Sequence, residues 1–275
     1  MQQPDPVNLS VSHYVCPSDM DLTTFLDVVT QAGFKSVGLT VRALDEIPVN
    51  QMRQALQVRG LGVSSVNTAG YFFESNESAA KQSDLNRRLL DAAAELEAAN
   101  GVNLIVGSSA LLPLAQTRDQ ALALAGELAA MAKARGTRLL LEPMHPLLAR
   151  TKGCVNTLEQ AAQWLTAIPD LALNIDLFHS WWDPSLAAAC QGHCGEVGVI
   201  QICDLLIDPA TNLPRRAPLD EGTLDWASLV ELALAVLPDT PIELEWFANQ
   251  MPDRDAIAVM KNDAKLMHTL GRALT

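Results

Sequence analysis

Apolar and polar positions alternate along this chain in two rhythms. Short runs rich in β-branched and aliphatic residues are separated by longer stretches whose apolar residues recur every three or four positions. The short runs predict strands: LSVSHYV (9–15), SVGLTV (36–41), GVSSVNT (62–68), NLIVGS (103–108), RLLLEP (138–143), LALNID (171–176), GVIQICD (198–204) and PIELEWF (241–247). The stretches between them predict amphipathic helices. DLTTFLDVVTQAG has Asp21 to cap its start and Gly33 its end, and SDLNRRLLDAAAELEAANG runs out at Asn100 and Gly101. DQALALAGELAAMAKARG and TLEQAAQWLTAI repeat the arrangement, and a last helix is expected over 253–273 with no strand after it. Such alternation predicts one parallel α/β sheet with helices outside. The count of eight favours closure into a single (β/α)8 TIM barrel over an open doubly wound sheet. No Gly/Ser-rich linker, low-complexity tract or shift in composition divides the chain, so residues 1–275 are expected to form one domain.

Composition narrows the partners. With 275 residues, 49% of them apolar, the chain can bury a large core. Its opening MQQPDPVNLS has neither the basic nor the apolar region of a signal peptide. No apolar run approaches the roughly 20 residues a bilayer span needs, so the expectation is a cytoplasmic protein without a membrane partner. A formal charge of −13, with scattered Lys and Arg, argues against nucleic acid. Five cysteines in such a chain do not read as a disulfide framework. Cys190, His193 and Cys194 in CQGHCG have the softness of zinc ligands, but no second cluster completes a tetrahedral site, and a structural role is the expectation.

In a (β/α)8 barrel the chemistry collects where the βα loops converge, at the C-terminal ends of the strands. Glu142 ends RLLLE, Asp176 ends LALNID, Gln201 and Asp204 lie in VIQICD, and Glu245 lies in IELEWF. A carboxylate beside an apolar core is costly without a partner. Each acid could pair separately with an arginine or a backbone amide. Four oxygen-bearing side chains on consecutive strand ends point instead to a common partner, a divalent cation. Glu142, Asp176 and Glu245 would give carboxylate oxygens and Gln201 a carbonyl. Glu243 shares a strand face with Glu245, so periodicity does not choose between them. His179 falls in the loop leaving the strand of Asp176, next to Trp181 and Trp182, whose indoles suit packing or the exclusion of water. Arg215 and Arg216 lie in the loop TNLPRRAPLDEGTLDW, where a charge is commonly solvated. Arg216 is the one taken as a candidate for binding a substrate carboxylate or phosphate. The roles of His13, Tyr71 and Phe72 stay open.

Taken in order, LLLEPMHP, NIDLFHSWWDP, VIQICD, LDEGTLDW and PIELEWF resemble the xylose isomerase-like TIM barrel superfamily, in particular its sugar phosphate isomerase/epimerase branch. The resemblance runs from about Arg138 to Phe247; the first half fits only as a strand and helix pattern. It implies that Glu142, Asp176, Gln201 and Glu245 are the metal ligands, and it selects Glu245 over Glu243. Glutamine at the third position is closer to hydroxypyruvate isomerase-like members than to the ketose epimerases, which carry histidine there. Val199 stands where many members have a further histidine, a departure from the family's pattern on that strand. His179 matches a histidine that hydrogen-bonds substrate near the metal, and His145 a motif residue at the pocket wall. Glu142 and Glu245 match the pair that removes and returns a proton.

The expected function is therefore divalent-metal-dependent isomerisation or epimerisation of a small sugar, keto sugar or hydroxy keto acid through an enediolate. The alternative is a dehydratase of inosose or dehydroshikimate type, since the same ligands serve either outcome. Manganese or magnesium suits the oxygen-rich set, with cobalt or zinc as further options. The superfamily's apurinic endonucleases are disfavoured by the few scattered histidines and the negative charge. A noncatalytic sugar-binding protein would not need two carboxylates flanking a substrate carbon. A homo-oligomer is left open.

Overall fold

Inward-facing positions of the strands carry most of what distinguishes this barrel. The structure is a computed structural model describing residues 7–73 and 76–273. The first half runs β1 (Leu9–Ser12), α1 (Leu22–Gln31), β2 (Ser36–Thr40), α2 (Val41–Glu46), α3 (Val49–Gln57), β3 (Gly62–Gly70), α4 (Asn76–Glu95), β4 (Val102–Ile105) and α5 (Leu114–Lys133). It continues through β5 (Leu139–Leu141), α6 (Leu158–Ala167), β6 (Leu171–Asp176), α7 (Leu177–Ser180), α8 (Leu186–Cys190) and β7 (Val197–Ile202). After β8 (Asp204–Ile207) and β9 (Pro214–Ala217) come α9 (Trp226–Leu234), β10 (Ile242–Leu244) and α10 (Ala256–Ala273).

Among the described residues, eight parallel strands close in the order β1-β2-β3-β4-β5-β6-β7-β10, the last sealed to the first by the register Leu9↔Ile242 to Val11↔Leu244. This is a (β/α)8 TIM barrel, with all eight predicted strands in place. Apolar residues such as Phe25, Leu26, Leu89 and Leu90 pack the helices onto the outside of the sheet. No described helix is long and apolar enough to cross a membrane.

Helix ends separate local signals from tertiary ones. Asp21 caps α1 as expected, accepting from Thr24 N at 2.9 Å, and Gly33 follows its end with φ +87°. The next long helix was expected to reach Asn100 and Gly101, but α4 stops at Glu95. Glu97 takes the left-handed φ of +52° and Ala98 N bonds back to Ala93 O at 2.9 Å, closing the helix a turn early. Gly101 serves the next strand instead, since a Cβ there would come within 2.1 Å of Arg138 O. The last helix starts at Ala256, not 253. The stretch after β7, expected as a loop around Arg215 and Arg216, is a β-hairpin in which Leu205 pairs with Arg216.

Inside the barrel the side chains form layers. Leu140, Ala172 and Val199 make a separate apolar floor. Above it is a polar layer of Asn103, Asn174, Gln201 and Glu243, all buried. On the opposite wall Ser10, Gly38, Ser64 and Ser65 are small, and the Glu243 carboxylate fills the space they leave. Ser64 donates to it at 2.5 Å and Ser10 and Ser65 at 3.4 Å. Gly38 is required by volume: a Cβ would sit 2.4 Å from Glu243 Oε2. Gly38→Ala should therefore cost about 1–3 kcal/mol of stability. In a Glu243→Ala background the same change should cost less than about 0.5 kcal/mol. Urea melts of the four proteins check this, and equal costs in both backgrounds would disprove the contact.

Candidate active site

At the C-terminal end of the barrel the polar layer rises into a carboxylate cluster. Glu142 continues the β5 ladder through its N–H to Leu104 O at 3.0 Å. Its Oε2 receives the Asn103 amide in a short contact and lies 3.4 Å from Asn174 Nδ2. Asp176 ends β6 and caps α7, accepting from Phe178 N at 2.9 Å. That single helical turn explains the offset of three in the sequence. It swings His179 back over the cluster, with Nε2 at 3.8 Å from Asp176 Oδ2 and 3.7 Å from Glu142 Oε1. His179 Nδ1 accepts the His145 N–H at 3.4 Å, so in the neutral ring the proton sits on Nε2, facing the carboxylates as a donor. Burial first of all lowers the His179 pKa to about 4 and keeps the ring neutral.

Glu245 stands two residues beyond Glu243 and a layer above it, which separates the two acids that alternation left equivalent. Gln201 reaches both through its amide nitrogen, at 2.8 Å to Glu243 and 2.7 Å to Glu245. Its carbonyl accepts from Asn174 at 2.7 Å, so it turns a donor to the cluster where a ligand oxygen was expected. A chain of amides, Asn103, Asn174 and Gln201, thus links Glu142 to Glu245 beneath the site.

The largest departure is Arg216. Far from being solvated in a loop, it is buried on β9 while Arg215 beside it is exposed. Its guanidinium grips Asp176 with both terminal nitrogens, one of them 3.2 Å from Oδ1. It also lies 3.3 Å from Glu245 Oε1 and donates to the Glu245 carbonyl at 3.0 Å. The rings of Phe178 and Phe247 sandwich it at 4.7 and 5.0 Å. Burial works against its charge, but Asp176, Cys203 and Glu245 raise its pKa.

Other candidates fall outside the cluster. His145 meets it through its backbone N–H, while its ring stacks on Trp181 at 6.3 Å and stands edge-on to Trp182. Trp182 in turn donates to the His179 carbonyl at 3.0 Å, so one indole fixes the histidine's helix and the other lies half open to solvent. Asp204 folds the β8–β9 hairpin onto the following turn, accepting from the N–H groups of Leu205, Gly222 and Leu224. His13 is buried against Thr40 Oγ1 at 2.8 Å, its pKa driven down to about 3 chiefly by burial. Tyr71 holds a left-handed φ of +51°, and burial followed by the charge of Glu142 raises its pKa. Tyr14, not singled out from the sequence, stands edge-on to Phe247 at 4.9 Å. Its pKa is pushed up to about 12 by burial and then by Glu245. Among the described residues Cys190, His193 and Cys194 do not form a metal-holding group. A cavity of about 530 Å³ opens beside the cluster, walled by His13, Tyr14, Thr40, Lys152, Phe247 and Gln250 among others.

Charge decides what the cluster can hold. Burial, then the charge of Asp176, pushes the Glu142 carboxyl up to about 7, and burial raises Glu245 well above the usual carboxylate range. Among the described residues, Arg216 is the one cation in ion-pair contact with Glu142, Asp176 or Glu245. When ionised these acids leave two negative charges uncompensated, which matches one divalent cation. A ligand atom from each of Glu142, Asp176 and His179 lies within 4.8 Å of the others, and Glu245, expected as a ligand, is not in that group.

A (β/α)8 barrel with a carboxylate cluster at its C-terminal mouth defines the class of fold and site. The chain belongs to the xylose isomerase-like TIM barrel family, whose model matches residues 26–268. No curated protein sequence is detectably similar to it. Similar solved structures include a protein from Sinorhizobium meliloti 1021, at 25% identity over 94% of this chain and 96% of that one, with a TM-score of 0.83. An IolI protein with a bound zinc atom has 16% identity over 94% and 96%, with a TM-score of 0.77. An L-ribulose 3-epimerase has 16% identity over 98% and 95%, with a TM-score of 0.78.

The Glu142 carboxyl keeps its proton in the folded, metal-free protein at pH values where the unfolded chain has lost it. Its contribution to stability is therefore present below about 4.5 and lost as pH rises to about 7. Metal-free Glu142→Gln should gain on the wild type across that window, by on the order of 3 kcal/mol at its upper end. Denaturation midpoints measured in chelator at several pH values test this; a difference that stays flat with pH contradicts it.

Proposed function

We propose that the protein is a divalent-metal-dependent isomerase or epimerase of a small sugar, keto sugar or hydroxy keto acid. The observation that carries this reading is the buried pair Glu142 and Glu245. Both have raised pKa values and stand on either side of Asp176, with Arg216 and His179 presenting N–H groups between them. Glu142, Asp176 and Glu245 would hold the ion, with Gln201 as a fourth ligand once its carbonyl turns from Asn174. Their hard oxygens suit manganese or magnesium, and cobalt and zinc also bind such sets. When bound, the cation would draw electrons from a carbonyl and a neighbouring hydroxyl and so acidify the C–H between them.

The chain's own residues do the rest. A carboxylate whose pKa lies near 7 takes a carbon-bound proton at neutral pH and gives it back with little loss of driving force. Glu142 and Glu245 come from β5 and β10, with β6 and β7 between them in the barrel, so they can address two faces of one carbon. A proton removed by one and supplied by the other inverts that carbon. Returned to the neighbouring carbon, it moves the carbonyl instead. His179 Nε2–H and the Arg216 guanidinium are placed to bind substrate oxygens as negative charge develops on them. The two phenylalanines keep water from Arg216 and strengthen its contacts. The relatives with an epimerase name and a bound zinc support the same chemistry.

Incubation of metal-loaded protein in deuterated water with ketoses, keto acids and keto-inositols should place deuterium beside a carbonyl, and chelation should abolish it. Glu142→Gln and Glu245→Gln should each lower this exchange by about 10²–10⁴-fold with the fold retained. Asp176→Asn should chiefly weaken metal binding. Unchanged exchange in either glutamate variant would remove that residue from the proton pair. Appearance of an ultraviolet-absorbing enone would move the assignment to a dehydratase.

A further inference from the structure

The cavity beside the cluster carries cationic side chains in its wall. Lys152, on the segment between β5 and α6, lines it together with Tyr14, Thr40, Phe247, Asn249 and Gln250. That segment is pinned. The N–H groups of Thr151, Lys152 and Gly153 all turn to the Leu148 carbonyl, at 3.0, 2.9 and 3.3 Å. Gly153 bridges to Gly107 after β4, and Cys154 N donates to Gly107 O at 3.0 Å. Gly153 also has no room for a side chain, since a Cβ would lie 2.6 Å from Met144 Cγ. The backbone of Lys152 is therefore fixed at the cavity's edge by the same strand ends that carry the cluster.

Two cationic side chains line this cavity, and they are used differently. Arg42 spends its guanidinium on the carbonyls of Cys16, Pro17 and Met20 and on the carboxylate of Glu46. Lys152 has no hydrogen bond or ion pair to any described side chain, although acids outnumber Lys and Arg by 32 to 19 in the chain. Lys152 is exposed, and it shares the cavity wall with Phe247, whose ring lies 5.0 Å from the Arg216 guanidinium of the cluster. The cavity thus presents an ammonium without a side-chain partner together with Thr40, Asn249 and Gln250, whose hydroxyl and amides can donate.

We propose that the substrate carries an anionic group, a carboxylate or a phosphate, which Lys152 binds at the outer end of the cavity while the carbonyl and hydroxyl oxygens reach Glu142 and Glu245. This rests on the proposed isomerase or epimerase function and narrows its substrate class to keto acids or sugar phosphates, leaving out neutral sugars. An ammonium is a point charge and accepts either anion. A charge-assisted contact of this kind changes affinity by roughly 10–100-fold.

The test compares wild type, Lys152→Met and Lys152→Arg, all metal-loaded, on matched sets of a neutral ketose, the keto acid of equal length and the ketose phosphate. Binding is read by saturation-transfer NMR and solvent deuterium exchange by kcat and KM. The wild type should favour the acid or the phosphate over the neutral ketose at least tenfold, mainly in KM. That preference should collapse in Lys152→Met and persist in Lys152→Arg, and the better of the two anions names the group. Neutral ketoses bound as well as anions, a preference unchanged in Lys152→Met, or no binding of any compound would each overturn the proposal. Binding with the expected preference but without exchange would keep Lys152 as the anion site and remove the isomerase reading, so the two ideas fail separately.

Discussion

The contact between Arg216 and Asp176 is the interaction on which this end of the barrel depends. Ionised acids at the ends of β5, β6 and β10 would repel one another strongly in a site closed to water. A guanidinium that engages both oxygens of Asp176 and reaches Glu245 relieves part of that repulsion, and its plane matches the carboxylate as an ammonium would not. It relieves only part. The remaining charge is met by protons, which is why Glu142 and Glu245 hold theirs to unusually high pH, or by a divalent cation, which would release them. One electrostatic deficit thus underlies both the raised pKa values and the divalent-cation binding that we propose.

The fold makes that arrangement possible by layering. An apolar floor of Leu140, Ala172 and Val199 closes the barrel below, and the amide chain of Asn103, Asn174 and Gln201 sits on it. Each amide satisfies a neighbour and orients the carboxylate above, so the acids are held by donors that bring no positive charge. The small wall of Ser10, Gly38, Ser64 and Ser65 takes up the Glu243 carboxylate and keeps that acid out of the upper cluster. The β8–β9 hairpin then carries Arg216 over the mouth, closed from above by Phe178 and Phe247.

Much of this was legible in the sequence, for identifiable reasons. Eight short aliphatic runs spaced by amphipathic helices define a barrel because each element's period is local and its count is robust to errors at the ends. Glu142 and Asp176 stood out because a carboxylate at the end of an apolar run is costly without a purpose, and the family resemblance chose Glu245 over Glu243. The sequence places His179 in the loop leaving its strand, and the family resemblance supplies its role; the structure shows a capped helical turn that returns the third residue to the cap. The same reasoning, applied to Asn103 and Asn174 inside their strands, would have found the amide chain. Arg216 was misplaced because PRRA between polar turns reads as loop, and only pairing with Asp204–Ile207 makes it a strand.

The sequence by itself determined the order and kind of the elements and the identity of the ionisable groups at the strand ends, because these depend on periodicity and on the cost of burying charge. Only the tertiary structure decided how those groups face one another. Glu243 and Glu245 are equivalent by alternation, yet barrel depth sends one into a serine-lined wall and the other into the cluster. The Gln201 amide points its nitrogen at the acids because two carboxylates lie on one side of it and the Asn174 amide on the other. Arg216 and Lys152, alike as charges in the sequence, became a buried clamp and an unpaired cation at the cavity edge. Hairpin pairing and loop anchoring set those positions, and both are contacts between residues far apart in the chain.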